Sequence, residues 1–136
     1  MASFRISSQT SAVWHTGAAL ATLFIGFGVN AIVRPRAGLE IFEFEYPKAP
    51  KDQKLIDGLM LIYGIRDIFM GVTTIAAYYY GAREVFGWSL IAGSAVAFVD
   101  GVANKAVIGY GQGKHWGYAP VLTILGSIIL GAADGI

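Results

Sequence analysis

Four apolar runs, near Val13–Val33, Leu55–Tyr79, Val85–Gly109 and Trp116–Ala133, leave this chain one kind of fold. Each is close to the roughly 20 residues that a helix needs to cross a bilayer. In hydrocarbon every backbone N–H and C=O must find a partner inside the protein, and a helix provides it within its own segment. The sequence therefore predicts an all-α integral membrane bundle of four transmembrane helices. Residues 1–136 are expected to form a single transmembrane domain. Composition agrees. Only 14% of residues are charged, against about 25% in an ordinary soluble domain. A net charge of +1 offers no basic field for nucleic acid. The absence of Cys removes thiolate nucleophiles, iron–sulfur clusters and Cys-ligated zinc. Residues 1–12 are polar and lack the apolar core of a cleavable signal, so the first run is expected to act as its own insertion signal.

The links differ in character. Gly81-Ala82-Arg83-Glu84 and Tyr110–His115 are short, which predicts antiparallel neighbours. Pro35–Lys54 is longer, holds Pro35, Pro47 and Pro50, and alternates apolar and acidic residues over Leu39–Tyr46. It is expected to lie on the membrane as an interfacial flap, either helical or extended. Arg34, Arg36, Lys48, Lys51 and Lys54 in the first link, with Lys105 and Lys114 near the third, outweigh Arg5 and Arg83. By the positive-inside tendency the first and third links face the cytosol and both termini lie on the other side.

Two stretches put ionised groups where lipid should be: Tyr63-Gly64-Ile65-Arg66-Asp67 and Val99-Asp100-Gly101. A charge at bilayer depth costs roughly 3 kcal/mol on insertion scales, so it persists only if it pairs or works. At about 1.5 Å per residue, Asp67 and Asp100 fall at similar depth. Small and polar residues also keep helical spacing: His15, Ala19, Thr22, Gly26 and Asn30 in the first run, Tyr63, Asp67, Met70 and Thr74 in the second, and Gly93, Ala97, Asp100 and Asn104 in the third. Thr123, Ser127 and Asp134 share a face in the fourth. The plain reading of such stripes is helix packing through small residues. It accounts less well for two acids around one base. In a low-dielectric site one of those acids is expected to hold a proton, which gives a carboxylate and a carboxylic acid side by side.

The residues expected to act are Asp67 and Asp100 as an acid–base pair and Arg66 as the group that orients them. Tyr63, Asn30, Asn104, His115 and Trp116 are expected to bind substrate or water. Trp14, Trp116 and Tyr78-Tyr79-Tyr80 read as membrane-boundary aromatics. His15 and His115 belong at opposite faces, so no metal site and no cofactor is expected. The simpler alternative is that Arg66 pairs with Asp100 only to lock the bundle.

The Gly-x-Arg-Asp step (Gly64, Arg66, Asp67), Asp100, and the His-Trp pair opening the fourth run (His115, Trp116) resemble a fungal group of small four-span membrane proteins known as a domain of unknown function. That resemblance implies secondary metabolism, an endoplasmic-reticulum membrane and a lipophilic small-molecule substrate. It supplies no reaction. An Asp–Arg–Asp set suits epoxide opening, by hydrolysis or cyclisation, and could also isomerise a double bond. The chemical set is similar to that of limonene-type epoxide hydrolases, which are soluble and differently folded. Two other classes compete: a small transporter or proton-conducting subunit, and a structural assembly subunit. Four short spans leave a transporter little room unless the chain forms a homo-oligomer.

Overall fold

The structure is a computed structural model, and it describes residues 6–135. Arg5, which entered the orientation count, lies outside the described residues. The described residues form helices α1 (Ser11–Val33), α2 (Pro35–Ile41), α3 (Pro50–Tyr79), α4 (Arg83–Ile108), α5 (Gly113–Trp116) and α6 (Ala119–Ile129), with no strand among them. The all-α expectation holds. Of these helices α1, α3 and α4 are long and apolar enough to cross a membrane, which marks the chain as a membrane protein. The fourth expected span is shorter than its apolar run. Only 11 residues of it form α6.

Local chemistry explains the shifted boundaries. Helix α3 starts at Pro50 rather than near Leu55, because proline suits the first turn and Asp52 sits where the helix dipole favours an acid. Hydropathy marks the start of the greasy part, not the start of the helix. The fourth run is broken between Trp116 and Ala119. Pro120 cannot donate to the carbonyl of Trp116, and its ring crowds that turn. Gly131, at φ +102°, then ends α6 in a conformation that glycine accepts without strain. Asp134 therefore lies beyond the helix, where it accepts bonds from the Ser8 N–H and hydroxyl at 2.7 Å each.

Helix α1 packs along α3, and α4 along α6. Both contacts close through glycine. A Cβ on Gly64 would lie 2.5 Å from the Gly28 carbonyl oxygen, and one on Gly126 would lie 2.6 Å from the Gly87 carbonyl oxygen. Lipid gives helices no hydrophobic reason to associate, so close backbone approach has to supply the contact energy. Phe24, Phe86, Leu90, Leu122 and Ile129 fill the core beside these crossings.

One face was expected wrongly. In α1 the residues turned inward are Val13, Gly17, Ala21, Phe24, Gly28 and Ala31. The stripe His15, Ala19, Thr22, Gly26 and Asn30 lies on the opposite side, and its first four members are exposed. Nothing comes within 4 Å of a Cβ placed on Gly26. Thr22 satisfies its hydroxyl on the Ala18 carbonyl of its own helix, at 3.0 Å, and needs no neighbour.

The segment after α1 is more built than a surface flap. Helix α2 folds back on α1, with Gly38 against Ala31. Leu39 and Phe42 are buried with Met60, under Tyr63. Lys114 ties the strap to the far link through Glu43, at 2.6 Å. The strap thereby closes one end of the bundle above the charged residues.

Candidate functional site

The charged residues from α3 and α4 meet. Arg66 donates to Asp100 through both terminal nitrogens, Nη1 to Oδ1 at 3.1 Å and Nη2 to Oδ2 at 2.9 Å. It also donates to Oδ1 of Asp67, from Nε at 3.1 Å and Nη2 at 3.0 Å. One guanidinium thus holds two carboxyl groups, using the planar fork that suits it to such pairing. Sequence neighbours on a helix point about 100° apart, yet the long Arg66 side chain folds back to reach Asp67 while spanning to Asp100. Its guanidinium carbon also sits 4.6 Å from the centre of the Tyr63 ring, in cation–π range.

The centre is closed on one side and open on the other. The Asp67 side chain is 4% exposed, that of Asp100 13% and that of Arg66 37%. The opening is a depression of about 250 Å³ lined by Arg66, Ala95, Val96, Val99 and Asp100. Ala95 and Val99 also line a larger apolar groove of about 690 Å³ between α4 and α6, with Phe98, Trp116 and Pro120 along its walls. In that groove Thr123 donates to Ser94 at 2.7 Å, and Ser94 donates to the Ala119 carbonyl at 2.6 Å. Through Ala95 and Val99 this groove adjoins the depression at Arg66 and Asp100. Asp67 lines neither.

Above the centre, rings form a ladder. Tyr63 meets Phe42 edge-on at 5.0 Å, and Phe42 stacks on His115 at 4.9 Å. Asn104 donates to the Phe42 carbonyl at 2.9 Å, which fixes the strap. The imidazole of His115 is buried, and burial pushes it below its ordinary value, with Asp100 opposing and Lys114 and Arg66 reinforcing the shift. The unfolded chain then takes up the proton first. Stability should be full above about pH 6.5 and fall as pH drops through it, by at most about 1.4 kcal/mol per unit. Thermal unfolding between pH 7.5 and 5.5, in a His15→Gln background, checks this. His115→Phe should flatten the profile, and an unchanged slope would refute the assignment.

The fold brings Arg66, Asp67, Asp100 and Tyr63 together and sets Asn104, His115 and Trp116 around them. It does not bring Asn30, which lies toward the outer side of α1 and makes no side-chain bond to the centre. Trp116 donates to the Phe98 carbonyl at 3.0 Å and covers Gly101, so its indole shapes the groove wall. Sequence reasoning missed Phe42, Ser94 and Tyr118. Tyr118 sits in the break before α6 and packs against the apolar core. None of these three carries a local signal, because each acquires its place through a link or a helix break. Among the described residues no three His, Asp or Glu side chains gather as metal ligands would.

A family model described as a domain of unknown function (DUF4267) matches residues 21–129. The chain belongs to that family. No curated protein and no solved structure matches it. The DUF4267 region runs from the middle of α1 to the last residue of α6. It therefore contains the whole Arg66 centre, the groove and the strap, while the Ser8–Asp134 tie falls outside it.

Proposed function

We propose that this DUF4267 protein is a cofactor-independent intramembrane acid–base enzyme that opens an epoxide in a lipophilic small molecule, by hydrolysis or cyclisation. The observation that carries the reading is the half-open Arg66–Asp100 pair at the edge of an apolar groove. A pair serving only to lock helices is best placed where no other group can reach it. Here the guanidinium and one carboxylate line a depression that adjoins the groove.

Burial divides the roles. Asp100, bonded to Arg66 through both oxygens, serves as the base. It takes the proton from a water or a substrate hydroxyl as that oxygen attacks the epoxide carbon. The carbon–oxygen bond of the ring breaks, and the one Arg66 N–H not donated to a carboxylate, on Nη1, stabilises the alkoxide that forms. Asp100 then returns the proton to that oxygen. Asp67 lies behind Arg66 and acts through it as a positioning residue, a narrower role than membership of the acid–base pair. The wider setting we propose is an endoplasmic-reticulum membrane in secondary metabolism, with α6 and its flanking turns completing a fourth crossing. Contacts of Trp116 with Gly101 and of Leu130 with Gly87 show this segment running along much of α4.

The test is turnover of 1,2-epoxydodecane, and of a hydroxy-epoxide able to cyclise, by protein in nanodiscs, with label from H₂¹⁸O followed into any diol. Asp100→Asn should keep the fold and lose at least about 100-fold in rate, as expected when a general base is removed. Wild-type protein no better than empty nanodiscs on both probes would sink the reading. Loss of folding in Asp100→Asn would instead favour a structural lock.

A further inference from the structure

Among the described residues, four buried side-chain atoms make no hydrogen bond: Asn104 Oδ1, Gln112 Oε1, and both ring nitrogens of His115. All belong to one neighbourhood. Asn104 bonds the Phe42 carbonyl, the Phe42 ring stacks on His115, and the Gln112 carbonyl accepts from the His115 N–H at 3.1 Å. Gly111 packs against Asn104, close enough that a Cβ there would lie 2.8 Å from Nδ2. Asn104 is 0% exposed and His115 2%. Buried polar atoms almost always have a partner, and each one without costs roughly 1–3 kcal/mol. Four in one place point to a ligand that supplies the missing bonds.

Their chemistry selects that ligand. Two amide oxygens accept only, and a neutral imidazole offers one donor and one acceptor. Anions are repelled by the carbonyl oxygens. Asp100 offsets Lys114 and Arg66 there, and Lys114 is itself paired with Glu43, so no net charge is selected. A hydroxyl fits, since it donates to a carbonyl and accepts from an imidazole N–H. The Phe42 ring stacks on His115 and meets Tyr63 edge-on, and Tyr63 in turn carries Arg66 on its face.

We propose that Asn104, Gln112 and His115 form a subsite for the hydroxyl of a lipophilic alcohol or diol, whose apolar body lies along Phe42 and Tyr63 toward Arg66. The subsite builds on the reading of Arg66 and Asp100 as substrate-facing. It gives that reading a substrate class, a molecule with oxygen functions at two separated points. His115 binds here and is assigned no proton transfer.

The test reads binding without turnover, so it can fail or succeed independently of the epoxide chemistry. A His15→Gln variant leaves His115 as the single histidine of the chain. Its imidazole is labelled with ¹⁵N, and the protein in nanodiscs is titrated with 1,2-dodecanediol and with dodecyl methyl ether, which has no O–H to donate. The diol should shift the His115 ring nitrogens saturably, and the ether should not. Gln112→Leu, which removes one acceptor without touching the Asn104–Phe42 bond, should weaken the diol about tenfold. An unmoved His115 signal, an equal shift from the ether, or unaltered affinity in Gln112→Leu would each overturn the proposal.

Discussion

Arg66→Met should leave the chain largely unfolded in bilayer or detergent, while Arg66→Met combined with Asp67→Asn and Asp100→Asn should recover much of the folded fraction. The single change strands two carboxyl groups that Arg66 holds at 2.9–3.1 Å. Removing one partner of a buried ion pair typically costs about 3–5 kcal/mol, whereas replacing the whole set with neutral groups is often close to neutral. That range is comparable to the entire stability of many domains. Thermal unfolding of the two variants side by side measures the difference. The triple variant should have no activity on the epoxide probes. If the single variant folds as well as wild type, the three residues do not form one electrostatic unit.

Gly64→Ala and Gly26→Ala should move stability in opposite directions. A Cβ on Gly64 would lie 2.5 Å from the Gly28 carbonyl oxygen and 2.6 Å from Ile32 Cγ1. Backbone oxygen cannot step aside, so α1 and α3 must separate, at about 1–3 kcal/mol. Gly64 lies one helical turn from Asp67, and separation there should also loosen the Arg66 bonds. Gly26 meets nothing within 4 Å, so alanine at that position should gain about 0.5–1 kcal/mol in helix propensity. Unfolding midpoints in one detergent provide the comparison. Equal effects at the two positions would show that α1 presents a different face to α3 from the one described.

The centre was legible because charge is rare at bilayer depth. Arg66, Asp67 and Asp100 stand out against apolar neighbours, and a constant helical rise brings the two acids to similar levels before any packing is known. The inward face of α1 was not legible. Gly26 and Gly28 carry the same residue, yet one faces open space and the other a backbone carbonyl. In a soluble helix the polar side marks the outside. In a membrane helix lipid and protein interior are both apolar, so hydropathy cannot separate them. The ring ladder was hidden for a different reason. Phe42 reaches His115 and Tyr63 only because the strap folds back over the bundle end, which is a long-range event.

By itself the sequence determined that the chain is helical and membrane-borne, because apolar length and the backbone's need for partners allow little else. It also singled out Arg66, Asp67 and Asp100, since ionised groups at depth demand a partner or a task. Only the tertiary structure decided that one guanidinium holds both acids, that Asp67 is sealed while Asp100 lines a shallow depression, and that Asn30 lies on the outer side of α1. Those outcomes depend on where glycines let helices meet and where a proline breaks one. Such contacts lie between residues far apart in the chain, and no local pattern encodes them.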